Sequence, residues 1–379
     1  MITNLKIRIS CFTMTRVLLG MVLVLSGFLK AIDPIGFGYK VDEYFRFLHL
    51  IFPGWLKVSL FFGLFLIALE FVIGVYLVLG IRRKFTAIVS LALMVVFTIV
   101  SVVILIYKPV GNCGCFGEII VLTDMQTFIK NVVLLALSIA FFFNYKTTIT
   151  FAPVGWHWLL SLYSCVFILI FALRSVYYLP VIDFGPYSIG TNVRENVFPT
   201  EPENNAEPAD FYVTDVNNRD YTSDILFDDK PIFLVISPML EEANTGVTEE
   251  LNSIYDWSLE RGYRMFCLTS STKDVINQWS YYNDIQFPIL IADNSLLRSI
   301  IHSNPGLVLM RDGIVRNKWS CNNIPDVTDN VVSEKQFERT PAYGVGVMWR
   351  LVLWYLMPML VFSLLSHYVG KVRKLHLKR

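Results

Sequence analysis

Residues 57–80 read KVSLFFGLFLIALEFVIGVYLVLG, an apolar run with one carboxylate, Glu70, near its middle. A helix needs about 20 mostly apolar residues to cross a bilayer. Comparable runs occur at 11–31, 85–107, 126–144, 156–179 and 347–367. The sequence therefore predicts a membrane protein with six transmembrane helices.

The composition agrees with this interpretation, because 54% of the 379 residues are hydrophobic and the mean hydropathy is +0.52. The net charge of +1 conceals a division of charge along the chain. Residues 181–340 hold 25 Asp and Glu against 12 Lys and Arg, whereas the remainder holds 6 against 20. This pattern predicts an acidic soluble segment within a basic membrane protein, and it gives no indication of a nucleic-acid partner.

Orientation follows from the excess of Lys and Arg on the cytoplasmic side of membrane proteins. With the N-terminus inside, the inner segments carry twelve such residues and the short outer loops carry six. We therefore expect a multi-pass protein of the cell (inner) membrane, with both termini cytoplasmic and residues 181–345 extracytoplasmic. The run 11–31 also resembles a signal peptide, but no small-residue cleavage pattern follows it, so we expect it to be retained.

The expected organisation has six parts. They are a four-helix membrane domain (1–148), a fifth transmembrane helix (153–180), a linker (181–207), a soluble domain (208–327), a sixth transmembrane helix (345–368) and a basic cytoplasmic tail (369–379). The first four helices form a membrane all-α bundle, joined by a long outer loop over 32–56.

Two charged residues stand out within the bundle. A carboxylate in lipid is costly, so Glu70 should face the bundle and have a partner. If the first helix begins near Ser10, Arg16 approaches the same depth, and we predict an Arg16–Glu70 pair. That pair either stabilises the fold or takes part in proton or quinone handling.

The first helix is expected to end at Asp33-Pro34, because the residue before proline avoids helical angles. The stretch before it reads SGFLKAI over 26–32 and contains Lys30, a further candidate for a structural or proton-linked role. Gly36 and Gly38 then permit a turn.

The cysteines of the loop GNCGCFG (111–117) are the strongest candidates for chemistry. A disulfide between Cys113 and Cys115 closes a very small ring, which favours a reducible bond suited to exchange, and Gly114 permits the required bend. A structural disulfide or plain loop cysteines remain the alternatives. Zinc is disfavoured because the loop contains no His and offers two ligands.

Several of these motifs resemble the DoxX/MauE group of membrane proteins. They are Arg16 to Gly20, Ser26 to Lys30, Glu70 to Gly74 and, most specifically, CGCFG over 113–117. The resemblance covers about 1–145 and is strongest to the multidomain DoxX-like proteins of Bacteroidetes. It implies a membrane partner in extracytoplasmic thiol chemistry or protein assembly, and it does not imply methylamine metabolism.

The acidic segment has the pattern of an α/β domain. Apolar strands are predicted at 231–237, 264–271 and 287–293 with helices between them, and a hairpin across Asp312-Gly313 follows. This order resembles a thioredoxin-like domain of the TlpA/peroxiredoxin type over about 208–325. Pro305 matches the cis-proline position of that family.

One departure from the family is important. Where a thioredoxin carries Cys-x-x-Cys, this chain has SPMLE over 237–241, so the domain is expected to be redox-inactive and to bind or position a client. Cys267 is expected to lie in the core, and a Cys267–Cys321 bridge stays open because spacing alone does not decide it.

Two functions follow from these observations. The first is a membrane protein whose Cys113 and Cys115 exchange electrons with extracytoplasmic protein clients or a redox partner, with a quinone as the conceivable cofactor. The second is a non-enzymatic scaffold for assembly of envelope proteins. A transporter ranks third, since the sequence shows no clear inverted repeat.

Overall fold

The computed structural model describes residues 2–50, 55–108, 114, 117, 122–152, 154–199, 211–327, 337 and 345–376. The chain forms two compact units. The membrane unit comprises Met1–Val176 and Val345–Arg379, and the second unit comprises Tyr177–Gly344.

The described part of the membrane unit is mainly helical. Its helices are α1 (Ile2–Ile32), α2 (Pro34–Phe47), α3 (Trp55–Leu79), α4 (Arg83–Tyr107), α5 (Asp124–Asn144) and α6 (His157–Tyr177). Five of them, α1 and α3 to α6, are long and apolar enough to cross a membrane. The prediction of five membrane helices before the soluble segment is therefore confirmed in number and position.

The last predicted run forms a helix over Val345–His376. Its apolar stretch within the described residues, Gly346–Phe362, is shorter than the five spans, and Pro358 lies inside it. A sixth crossing therefore stays a prediction.

The helices α1 and α3 run antiparallel and approach closely because glycines face the partner backbone. A Cβ added at Gly27 would lie 2.8 Å from the backbone nitrogen of Phe71, and one added at Gly74 would lie 2.6 Å from that of Val24. Small residues at such positions allow helix backbones to pack closely in membranes. These contacts fix the register of α1 against α3.

The stretch 32–56 was expected to be a long loop, and this expectation is wrong for 34–47. Asp33 ends α1 as predicted, but its side chain accepts a hydrogen bond of 3.0 Å from Gly36 N and so caps a new helix, α2. Pro34 occupies the first turn of α2, where its missing N–H is harmless. Gly36 and Gly38 are helical, and a Cβ on Gly38 would meet Leu60 of α3 at 3.3 Å.

Aromatic side chains connect α6 and the final helix to the rest of the membrane unit. Tyr163 and Tyr355 stack with ring centroids 5.6 Å apart, and Tyr355 also lies 5.3 Å from Phe71 of α3. The hydroxyl of Tyr163 donates to Trp354 O at 2.9 Å. We label this final helix α12, in chain order.

The second unit is built on a mixed sheet of six strands. They are β1 (Val213–Thr214), β2 (Ile232–Ile236), β3 (Arg264–Thr269), β4 (Ile289–Ala292), β5 (Gly306–Arg311) and β6 (Ile314–Ser320). Their order is β1-β4-β3-β2-β5-β6, with β2, β3 and β4 parallel and the other pairings antiparallel. The expected strands and the hairpin at Asp312-Gly313 are confirmed.

Five helices accompany this sheet in the described residues: α7 (Val193–Val197), α8 (Thr222–Leu226), α9 (Thr248–Glu260), α10 (Lys273–Tyr282) and α11 (Asn294–Ile300). Apolar residues fill a core on each face of the sheet. The β2 strand is buried along its whole length, as expected of a central strand covered on both faces.

The prediction of a linker over 181–207 is wrong for its described part, 181–199. Val181, Tyr187 and Val193 are buried, and the last two belong to one core of the second unit. Val193 N also donates to Gly313 O at the hairpin. The polar residues between these apolar positions conceal a segment that packs on the domain.

Candidate functional site

A buried ion pair joins α1 to α3 in the membrane unit. Lys30 Nζ lies 2.5 Å from Glu70 Oε1, and Ser26 Oγ donates a hydrogen bond of 2.8 Å to Glu70 Oε2. Glu70 is 0% exposed, and Lys30 and Ser26 are buried. Both carboxylate oxygens therefore have a partner, which confirms that Glu70 faces the bundle and is paired.

The local sequence explains why these groups meet. Ser26 and Lys30 are four residues apart and thus lie on one face of α1. Gly27 brings that part of α1 against the backbone of Phe71. The short Ser26 side chain therefore reaches the carboxylate of the residue next to Phe71.

The ammonium of Lys30 has an aromatic surround. It lies 5.0 Å from the ring centre of Phe37 in α2 and 5.3 Å from that of Phe97 in α4. Cations are attracted to the faces of such rings, most strongly where water is excluded. Lys130 of α5 is close enough to interact electrostatically with both Lys30 and Glu70. Residues of five helices thus contribute to one charged centre.

The predicted Arg16–Glu70 pair is wrong. Arg16 is fully buried, but its Nη2 donates to Val78 O at 3.4 Å and its guanidinium lies 5.4 Å from the ring of Phe151. The α1 helix begins at Ile2 rather than near Ser10, and the glycine contacts set Arg16 level with the last turn of α3. A cation there faces the negative end of the α3 dipole, so Arg16 acts as a helix-end partner.

Two glycines of the segment that contains the cysteines lie close to this centre. Cys113 and Cys115 lie outside the described residues, but Gly114 and Gly117 are placed. Both glycines have positive φ, and Gly117 N donates to Gly114 O at 3.1 Å. A Cβ on Gly114 would lie 3.4 Å from Cγ of Lys40, and one on Gly117 would lie 3.3 Å from Leu29 O.

Gly114 therefore lies against Lys40 of α2, and Gly117 lies against Leu29 of α1. Leu29 precedes Lys30 in sequence, so the turn packs on the residue next to the ion pair. Gly117, from the segment that contains both cysteines, therefore lies next to the residue that precedes Lys30. A carboxylate and an amine in hydrogen-bond contact can hold and pass a proton.

Sequence reasoning missed several residues of this site, among them Ser26 and Lys40. Ser26 was noted as part of a motif but not as a partner of Glu70, although its spacing from Lys30 gave the signal. Lys40 was not considered because 32–56 was interpreted as a loop, so the helical face that carries it went unrecognised.

In the second unit, the segment that follows β2 is held by side-chain hydrogen bonds, most of them between neutral groups. Ser237 Oγ donates to Asn304 Oδ1 at 2.6 Å, and Asn304 Nδ2 donates to Met239 O at 2.8 Å. Ser271 Oγ accepts from Leu240 N at 2.9 Å and donates to Glu241 at 2.7 Å. The segment is thus tied to two neighbouring loops, with no thiol among its residues.

Pro305 follows a cis peptide bond with Asn304, in keeping with the position assigned from the sequence. The proline is buried, and its carbonyl accepts a hydrogen bond from Ser303 Oγ at 2.7 Å. A bound segment would therefore meet the neighbours of Pro305 rather than its ring.

The two cysteines of the second unit are separate free thiols, so the bridge between them is not formed. Cys267 is fully buried in β3, where desolvation raises the pKa of its thiol to about 12. A thiol held neutral in this way is a poor nucleophile, as the expectation of a core residue requires. Within the described part of the chain, no three His, Cys, Asp or Glu residues form a metal-binding group.

Comparison with known proteins supports the membrane unit directly. Residues 8–144 match the family model of methylamine utilisation protein MauE. The membrane unit is therefore similar to the MauE family over residues 8–144, about a third of the chain. The matched range includes Arg16, the ion pair and the cysteine loop.

A second similarity is to Protein TlpB of Flavobacterium psychrophilum, which is 32% identical over 94 residues. The aligned part is 24% of this chain and 26% of TlpB. The chain thus matches about a quarter of the length of that curated relative.

Proposed function

We propose that this protein supports thiol–disulfide exchange, or the disulfide-dependent maturation of other proteins, on the outer side of the cell membrane. Cys113 and Cys115 form the redox pair. The observation that carries the proposal is the turn of Gly114 and Gly117, which rests on α1 and α2 beside the Lys30–Glu70 pair.

The chemistry balances as a two-electron exchange. A client thiolate attacks the Cys113–Cys115 disulfide, and a second client thiol then resolves the mixed disulfide, leaving an oxidised client and a reduced pair. Restoring the disulfide requires an acceptor of two electrons and two protons, for which a membrane quinone is the proposed class. Lys30 and Glu70 are the proposed site through which those protons leave.

The second unit is proposed to be a thioredoxin-like module that binds rather than reacts. Its strand order supports this assignment, because parallel β2, β3 and β4 are followed by an antiparallel hairpin, as the resemblance requires. The place where a thioredoxin carries its nucleophile holds no thiol here, and hydrogen bonds between neutral groups tie Ser237 to Asn304 and Asn304 to Met239. We propose that the loop around Pro305 positions an extended client segment, since such binding needs only backbone groups.

Trapping tests the redox proposal. The Cys115→Ser variant, quenched in acid and alkylated, should accumulate mixed disulfides through Cys113 that disappear on reduction. Cys321→Ser is the matched control, because it removes a partly exposed thiol of the second unit. Absence of adducts, together with full function of the Cys113→Ser/Cys115→Ser double variant, would contradict the proposal.

The segment that follows β2, which carries no thiol, favours a second candidate, a non-enzymatic scaffold for envelope proteins. A scaffold needs the second unit but not the thiols. Retained client assembly in the double cysteine variant, with loss on altering the Pro305 loop, would favour this function.

Labelling tests the proposed orientation, with residues 181–345 outside and both termini inside. After gentle reduction, an impermeant maleimide should label Cys113 and Cys115 in intact cells. In an Arg82→Cys variant it should leave position 82, at the turn between α3 and α4, unlabelled. The reverse pattern would place the cysteine loop in the cytoplasm, where disulfides do not persist.

A further inference from the structure

A basic pocket lies at one end of the membrane unit, where α3 turns into α4 and where α5 ends. Its lining comprises four cations and three apolar or aromatic residues: Arg82, Arg83, Lys84, Lys146, Phe85, Ile88 and Tyr145. The cations come from two chain segments more than 60 residues apart, which the fold brings together.

The pocket has an ordered base. Arg83 Nη1 donates to the carbonyl oxygens of Lys146, at 3.4 Å, and Thr148, so one guanidinium fastens the two turns to each other. Arg82 takes a left-handed conformation with φ of 42°, which turns the chain directly before α4. The cationic side chains are therefore presented by a defined backbone.

The positive charge of the pocket is uncompensated. In the residues that the structure describes, no carboxylate forms a salt bridge with any of the four cations, and Arg82, Lys84 and Lys146 are exposed. Arg16 lies near enough to Arg83 to add further positive potential. Such a cluster attracts anions, and Arg and Lys together suit phosphate oxygens.

The remaining walls suit an amphipathic ligand. Phe85 and Ile88 are 51% and 48% exposed on the first turns of α4, where that apolar helix leaves the bilayer interface. Tyr145 stands at the end of α5, and amphipathic rings of this kind favour the headgroup level. In a bilayer crossed by α4, the cations would lie near the lipid phosphates, with apolar side chains alongside for acyl chains.

We propose that this pocket binds a phosphate group, carried either by an anionic phospholipid headgroup or by a soluble phosphate. The proposal is independent of the redox function, because none of the residues that line the pocket in the described part of the chain is a cysteine. Basic pockets between transmembrane helices are a general means of holding anionic headgroups.

Variants of the full chain in a zwitterionic detergent test the site. Phosphatidylglycerol, phosphatidylcholine and inorganic phosphate are the probes, and native mass spectrometry measures their binding. The triple variant Arg82→Gln/Lys84→Gln/Lys146→Gln should bind phosphatidylglycerol roughly a hundredfold more weakly, since each interfacial cation contributes a several-fold factor. The control is Lys57→Gln/Lys108→Gln/Arg350→Gln, which removes three cations elsewhere, including those at the opposite ends of α3 and α4, and should bind as wild type. Equal binding by both variants would overturn the proposal.

Two further arms separate the possible sources. Phe85→Ala/Ile88→Ala should weaken phosphatidylglycerol but not inorganic phosphate if a lipid is the ligand. Binding of phosphate alone, lost in the basic triple variant, would support the site and identify a soluble source.

A measurement on the wild type covers the case in which the triple variant does not fold. Phosphatidylglycerol should protect Lys84 and Lys146 from amine acylation relative to phosphatidylcholine, while Lys57 and Lys108 react equally in both. Equal acylation of all four lysines in both lipids would overturn the proposal.

Discussion

The membrane unit and the second unit differ at the two places where a redox function would require thiols. In the membrane unit, Gly114 and Gly117 of the cysteine-containing segment lie against α2 and α1, next to a buried ion pair. In the second unit, the segment after β2 has no thiol and is fastened by neutral hydrogen bonds. The comparison teaches that a fold pattern alone does not determine the chemistry of a protein, because the chemistry depends on the charged and nucleophilic groups at the site.

The largest expected effect concerns the charged centre. Glu70→Gln should destabilise the membrane unit by about 3–5 kcal/mol, because it leaves the Lys30 ammonium buried and without its counter-charge. Unfolding in mixed detergent micelles measures the loss. The matched control is Glu43→Gln, since Glu43 pairs with Lys40 at 3.4 Å in a partly exposed setting and should change stability by less than about 1 kcal/mol.

The same pair also separates structure from chemistry. Lys30→Met/Glu70→Leu removes both charges and should recover most of the lost stability, as apolar replacement of a buried pair often does. If the pair passes protons, this stable variant should still lose thiol-oxidation activity. Full activity would reduce the pair to a structural role.

The next effect concerns the close approach of α1 and α3. Gly74→Ala should cost about 2 kcal/mol, because the added Cβ would lie 2.6 Å from the backbone nitrogen of Val24. Gly346→Ala is the control, since a Cβ there meets open space and alanine favours the helix. Similar stability of the two variants would contradict this prediction, because it would show that α1 and α3 can move apart without loss of stability.

The third effect concerns the hydrogen bonds that hold the segment after β2 in the second unit. Asn304→Ala should destabilise that unit by about 1–2 kcal/mol, because the buried Ser237 hydroxyl loses its acceptor and Met239 O loses its donor. The control is Asn252→Ala, whose amide bonds Asp284 O in an exposed position that water can replace. Thermal unfolding of the full chain, followed by probes in each unit, should show loss in the second unit alone.

The smallest effect is a pH dependence at the start of α11. Asp293 accepts hydrogen bonds from Ser295, which lower the pKa of its carboxyl. The charged carboxylate therefore stabilises the fold above the unfolded pKa, near 4, and this stabilisation disappears as the pH falls through the folded pKa. Asp293→Asn should keep the cap but abolish that acid dependence, whereas Asp293→Ala should cost about 1 kcal/mol at neutral pH. Identical acid profiles for Asn and wild type would contradict this assignment.

Much of the fold could be predicted from sequence because its signals are local. Apolar run length gave the five membrane helices, and short strand patterns with Asp312-Gly313 gave the central sheet and hairpin. One failure arose because a local signal had two meanings. Asp33-Pro34 signals the end of one helix, but the same residues also begin α2, and only the packing of Gly38 on Leu60 reveals the second role.

The site was harder to predict because it depends on register. Burial of Glu70 follows from the cost of a charge in lipid, but its partner depends on how far α1 slides along α3. Glycine contacts between backbones decide that, and no single-helix pattern contains the information. Estimated depth in the membrane therefore favoured Arg16 as the partner, and only the positions opposite α3 show that Lys30 is the partner instead.

The glycine contacts between α1 and α3, here called the glycine seam, also limit which insertions and deletions this protein can accept during evolution. Inserting or deleting one residue in either helix would rotate everything beyond it by about 100°. Such a change would carry Lys30 away from Glu70 and press larger side chains into the seam. Lipid-facing residues can be exchanged freely, but these two helices must keep their length between Gly20 and Lys30 and between Glu70 and Gly74.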